Sequence, residues 1–127
     1  MQQTIFQIRN LSVRIRDKTL LEIDRLEIPA GMTVIIGPNG AGKSTLLRAL
    51  IGQIGQGKIT LFDKAAAPQV RAGKVAWVGQ HGRYNMPMTV REYIALASFV
   101  QKGRLNHEWA DELLHYFDLT ALADKRI

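Results

Sequence analysis

At 127 residues the chain is the size of a single domain, with room for a modest core. Its 46% hydrophobic and 22% charged residues exclude a disordered polymer, no apolar run is long enough to span a bilayer, and without cysteine disulfide and thiolate chemistry are excluded. The net charge of +6 is uneven: residues 28–91 set Lys43, Arg48, Lys58, Lys64, Arg71, Lys74, Arg83 and Arg91 against Asp63 alone, whereas residues 105–127 are acidic.

Met1-Gln2-Gln3-Thr4 lacks the basic start and apolar body of a signal peptide. Residues 4–28 read as two strands. Ile5, Phe6 and Ile8 open the first, and Leu11, Val13 and Ile15 then alternate with polar residues. Asp17-Lys18 is the expected turn, and Leu21, Ile23, Leu26 and Ile28 lead to the stop Pro29-Ala30-Gly31. With no helix between them, the two strands should pair antiparallel.

Met32-Thr33-Val34-Ile35-Ile36 is a candidate buried strand, and Leu46, Leu47, Leu50 and Ile51 fall on one face of a helix expected over about Ser44 to Ile51. Between them lies Gly37-Pro38-Asn39-Gly40-Ala41-Gly42-Lys43-Ser44, followed by Thr45, which fits G-x-x-x-x-G-K-[ST] at every required position. The chemistry explains the pattern. Gly37, Gly40 and Gly42 admit the tight conformations that let successive N–H groups converge on phosphate oxygens. The helix adds its orphan N-terminal donors and positive dipole end. Lys43 supplies a mobile charge for the outer phosphates, and the Ser44 hydroxyl is a candidate Mg²⁺ ligand. Strand, loop and helix together point to nucleotide binding.

Gly52 to Gly57 is turn material, and Lys58-Ile59-Thr60-Leu61-Phe62 is a further strand. Asp63 is an ordinary strand-end acid rather than the Mg²⁺-holding aspartate of a nucleotidase: it lies too close in sequence to Lys43, and Thr60 breaks what should be a fully buried strand. Residues 63–73 form a linker or short helix, Val75-Ala76-Trp77-Val78 a short strand ending at Gly79-Gln80, and the residues through Pro87 a turn region. Thr89-Val90-Arg91-Glu92 is a capping box for a helix carrying Tyr93, Ile94, Leu96, Ala97 and Val100 and ending at Gly103. Asn106 caps a second helix with the apolar stripe Trp109, Leu113, Tyr116 and Phe117, while Glu108, Asp111 and Glu112 face water. Trp77 and Trp109 are expected in the core. His81, His107 and His115 show no metal-ligand spacing. A basic middle suits anionic ligands, but its charges stand singly without interleaved aromatics, so no nucleic-acid partner is expected.

Taken together these residues resemble the N-terminal half of an ATP-binding cassette (ABC) transporter ATPase. The carriers are Leu11-Ser12-Val13, Leu20-Leu21, Pro29-Ala30-Gly31, Gly37 to Thr45, Val78-Gly79-Gln80, Met88 to Glu92, Phe117-Asp118-Leu119 and Ala123-Asp124-Lys125-Arg126. The resemblance implies an α/β P-loop NTPase of ABC type, with an N-terminal antiparallel β element and part of a helical subdomain. Residues 1–88 would be the ATP-binding core and 89–127 the start of that subdomain. It implies ATP and Mg²⁺ as cofactors, with Gln80 a second Mg²⁺ or water ligand, and transmembrane permease subunits and a second ABC subunit as partners. It also implies a cytoplasmic, peripheral place on the membrane with no direct insertion. Where the family stacks an aromatic ring on adenine, this chain has Ile15 between Arg14 and Arg16, an apolar contact without a π-face.

The resemblance stops before the family's Leu-Ser-Gly-Gly signature, Walker B aspartate, catalytic glutamate and switch histidine, so the expected fold is truncated before the signature motif. These residues alone are expected to hydrolyse little or no ATP, and the Met32–Ile36 strand is expected to have an open edge. A non-catalytic nucleotide-binding or complementing fragment is the alternative. A small P-loop kinase would need lid arginines and an acid near the transferred phosphate, for which only Asp63 is at hand.

Overall fold

The computed structural model describes residues 2–80 and 87–127, apart from the side chains of Val100 and Gln101. It divides into two compact units, Met1–Trp77 and Val78–Ile127. The expected turn region up to Pro87, with His81, lies largely outside the described residues. No helix among them is long and apolar enough to cross a membrane.

In the first unit β1 (Thr4–Ile15) and β2 (Lys18–Pro29) pair antiparallel along nearly their whole length, joined by a turn at Arg16-Asp17, one residue earlier than expected. Then come α1 (Lys43–Leu50), β3 (Gln56–Leu61), β4 (Lys64–Ala65) and α2 (Ala66–Arg71). The sheet order is β2-β1-β3-β4, and every neighbouring pair is antiparallel. Alternation along β1 changes phase midway: Ile8 faces the core, then Leu11 and Val13 do so. The extra residue is Asn10, at φ +50°. Against β3 the register steps from Arg9↔Lys58 to Ser12↔Gln56, so Asn10 and Leu11 together oppose Gly57, a β-bulge. It keeps both apolar sets on the face that packs against Leu46, Ala49 and Leu50 of α1.

Asp63 occupies a hairpin turn. It and Phe62 both have positive φ, at 63° and 50°, as a two-residue type I′ loop between β3 and β4 requires.

Two expected strands do not form. Met32–Ile36 has no ladder partner among the described residues, and backbone donors and acceptors without a neighbouring strand make no sheet. Ile35 packs against the core, but Met32, Val34 and Ile36 are 94%, 69% and 90% exposed. Val75–Val78 likewise lacks a partner strand, leaving Val78 exposed and Trp77 at the surface instead of in the core.

The second unit is built on α3 (Val90–Lys102) and α4 (His107–Tyr116), with a short 3₁₀ turn at Thr120–Leu122. The capping box is present: the Glu92 N–H donates to Thr89 Oγ1 at 3.2 Å and the Thr89 N–H to Glu92 Oε2 at 2.7 Å. Left-handed Gly103 ends α3, and the Asn106 side chain accepts from the Trp109 N–H at 3.0 Å. Buried Ser98 donates to the Ala95 carbonyl and accepts from the Asn106 N–H at 2.8 Å, tying the connecting loop to α3. The C-terminal residues return to the start of α3, where the N–H groups of Val90 and Arg91 donate to the carbonyls of Lys125 and Ala123. Arg91 clamps the arrangement, with Nε 2.6 Å from Asp111 and Nη1 2.9 Å from Asp124.

The face of α4 toward the core is set by Ala110 and Leu114, with Trp109 and Leu113 half-buried; Tyr116 and Phe117 are exposed. The expected stripe drifts off the core at the helix end, where the chain leaves the helical period. Glu108, Asp111 and Glu112 are exposed as expected.

The hydrogen bond from the Thr89 backbone holds the Glu92 carboxyl below its ordinary value of 4.5. A depressed carboxyl contributes stability above its unfolded value and loses it as pH falls through the folded one. Thermal denaturation of the chain should therefore lose stability on acidification below pH 4.5 more steeply than Glu92→Gln, which keeps a capping side chain without a titrating group.

Candidate functional site

The phosphate-loop sequence forms a cradle between β2 and α1. The Ala41 N–H closes a turn onto the Pro38 carbonyl at 3.1 Å, and the first bond of α1 runs from the Leu46 N–H to the Gly42 carbonyl at 2.9 Å. The N–H groups of Lys43, Ser44 and Thr45 therefore precede the helical ladder, and no side chain caps that end of the helix. Gly40 and Gly42 sit at φ +85° and +102°, conformations that direct neighbouring N–H groups into one concavity. A Cβ on Gly42 would stand 3.2 Å from Leu21 Cδ1, so the loop is seated directly on β2.

The first turn of α1 contains no acidic residue, so the positive end of its dipole is uncompensated there. Lys43 Nζ folds back to donate to the carbonyls of Gly37 and Pro38, which fixes its charge at the loop. Ser44 is exposed and Thr45 half-buried. Backbone donors, an ammonium and hydroxyls, with no carboxylate from Gly37 to Thr45, match the phosphate groups of a nucleotide.

Ile15 lies at the end of the β1–β2 hairpin, 57% exposed and paired with Lys18. The Val13↔Leu21 pair, whose Leu21 supports Gly42, lies two residues along the strand, which puts the hairpin end on the side of the loop. Gln80 belongs to the second unit and is exposed, after a segment without regular structure. The support from Leu21 had no signal in the sequence, because two residues 21 apart meet only through the fold.

A cavity of about 460 Å³ in the first unit lies elsewhere, between the end of α1, the Gly52–Gly57 turn, β3 and the start of α2. It gathers apolar side chains such as Leu50, Ile54 and Ile59. A phosphate cradle works through converging donors rather than enclosure, so the loop remains the candidate site.

Comparisons with known proteins agree with this architecture. The family model described as ABC transporter matches residues 21–127. The hemin import ATP-binding protein of Vibrio anguillarum is 34% identical over 125 residues, spanning 94% of this chain and 47% of that protein. The manganese transport system ATP-binding protein of Listeria monocytogenes is 32% identical over 132 residues, spanning 95% of this chain and 54% of the relative. A solved ATP-binding cassette of an ABC transporter in its ADP conformation superposes with a TM-score of 0.69 at 24% identity, over 97% of this chain and 57% of the other. The chain spans about half the length of the curated relatives it matches. An N-terminal antiparallel sheet, a P-loop cradle seated on it and a capped helical pair complete the picture: the chain belongs to the ABC transporter family, and its fold is that of the N-terminal part of the ATP-binding cassette.

Proposed function

We propose that this chain is the nucleotide-gripping part of an ATP-binding subunit that couples ATP binding and hydrolysis to solute transport across a membrane. The observation that carries the reading is the donor-lined cradle from Gly37 to Thr45, with the Lys43 ammonium held on the loop by the Gly37 and Pro38 carbonyls. The N–H groups of the loop and of the first turn of α1 bind phosphate oxygens, Lys43 supplies the charge for the outer phosphates, and Ile15 offers an apolar contact for the base. Ser44 and Gln80 are the candidate Mg²⁺ ligands. Bound Mg²⁺ would neutralise charge developing on the phosphate oxygens.

Relatives named for import of hemin and of sulfate or thiosulfate, and for manganese transport, support import as the direction. Their cargoes share no chemistry, so the proposal stops short of a substrate. The partners are permease subunits and a second ABC subunit, and the chain works on the cytoplasmic face of the membrane.

The test is Mg²⁺–ATP binding and turnover by the 127-residue chain, with folding followed by circular dichroism. Saturable binding without turnover is expected, since these residues hold the phosphates but place no acid to polarise water. A folded chain that binds no nucleotide would overturn the reading. Ile15→Tyr adds a π-face and is expected to tighten ATP binding several-fold, by about 1 kcal/mol; unchanged affinity would remove Ile15 from the adenine side.

A further inference from the structure

The outer face of the sheet carries a second group of cations, independent of the nucleotide cradle. Ile8 and Ile59 turn toward the core, so Gln7 and Arg9 of β1 and Lys58 and Thr60 of β3 face out. The register sets Arg25, Arg9 and Lys58 side by side across three strands, because Arg9 pairs with Arg25 on one side and with Lys58 on the other. Like charges directly opposite one another destabilise a sheet. Arg25 alone of the three is ion-paired among the described residues, to Glu27 at 2.7 Å, and the Glu27 carboxylate attracts Arg9 only at longer range. Among the described residues Arg9 and Lys58 have neither an ion pair nor a side-chain hydrogen bond.

The adjoining pair on the same face is Gln7 opposite Thr60. A cavity of about 140 Å³ opens here, lined by Gln7, Arg9, Lys58, Thr60 and Asp63. Thr60 Oγ1 is buried and has no hydrogen-bond partner among the described residues. An orphaned buried hydroxyl is destabilising, and neither cation beside it has an ion-pair partner among the described residues.

We propose that this cavity binds a small oxyanion of the phosphate type, held by Arg9 and Lys58 and by hydrogen bonds from the Thr60 hydroxyl and the Gln7 amide. One tetrahedral anion supplies an ion-pair partner for both cations and an acceptor for the hydroxyl. Asp63, on the type I′ turn, also lines the cavity and repels negative charge that reaches toward the hairpin tip, which limits the ligand to a compact anion.

The test is a titration of the ¹⁵N-labelled chain with inorganic phosphate, at ionic strength held constant with chloride. Saturable shifts are expected at the amides of Gln7, Arg9, Lys58 and Thr60, while occupancy of the nucleotide cradle is read separately at Gly37 to Thr45. Lys58→Gln should abolish saturation at the sheet. Thr60→Val should weaken it about tenfold, while melting at no lower temperature than the parent without phosphate, because the orphan hydroxyl is gone. Shifts at the sheet that rise linearly without saturating, or equal affinity in Thr60→Val and the parent, would overturn the proposal whatever happens at the cradle.

Discussion

Replacing Lys43 by alanine is expected to weaken Mg²⁺–ATP binding about 10- to 100-fold while leaving the thermal midpoint of the chain nearly unchanged. A hydrogen bond to a charged group is worth about 1.5–3 kcal/mol, and each 1.4 kcal/mol is a factor of ten in affinity. Among the described residues the Lys43 ammonium hydrogen-bonds the carbonyls of Gly37 and Pro38, within its own loop, so its removal leaves the packing of Leu46, Ala49 and Leu50 against the sheet intact. Titration with a fluorescent nucleotide alongside thermal denaturation checks both halves of the prediction. Undiminished affinity would take the ammonium out of the site. A collapse in melting temperature would make Lys43 a structural strut of the loop. Lys43→Arg should rescue little, because the planar guanidinium fork does not fit a position shaped for a compact point charge.

The cradle was legible because it is local. Gly37 to Thr45 encode their own turn, left-handed glycines and helix start, with no long-range contact needed to recognise them. The caps at Thr89, Gly103 and Asn106 were legible for the same reason. The runs Met32–Ile36 and Val75–Val78 were not: apolar content reports a preference for burial, whereas a strand exists only where another backbone lies beside it. The α4 stripe failed at its end, because Tyr116 and Phe117 continue the helical period just where the chain abandons it, and Ala110 is too small to announce itself as core. Gln80 carried no physical signal of its own; its assigned role comes from the resemblance. The phase change in β1, from Ile8 to Leu11 and Val13, was visible in the sequence as a break in alternation. Its meaning required the facing strand.

That facing residue sets the second large expectation: Gly57→Ala should destabilise the first unit by about 3–5 kcal/mol, a large share of the 5–15 kcal/mol typical of a whole domain. Gly57 has φ +149°, and a Cβ there would stand 2.7 Å from the Asn10 carbonyl oxygen and 2.8 Å from Leu11 Cα. Both atoms are backbone, in the bulge that keeps Ile8, Leu11 and Val13 on one face, so no side chain can swing away to relieve the clash. Backbone strain at such a φ costs about 1–3 kcal/mol, and overpacking a tight site costs about as much again. Gly52→Ala is the control. Its φ of +79° carries strain, but a Cβ there meets nothing within 4 Å, so about 1 kcal/mol is expected. Urea unfolding of the three chains separates the terms. A large loss confined to Gly57→Ala would place the bulge among the determinants of the fold, since moving Leu11 off the core face removes the surface on which α1 rests and, with it, the seat of the cradle. Equal losses in both variants would mean that the two strands slide apart at little cost and that backbone strain alone is being measured.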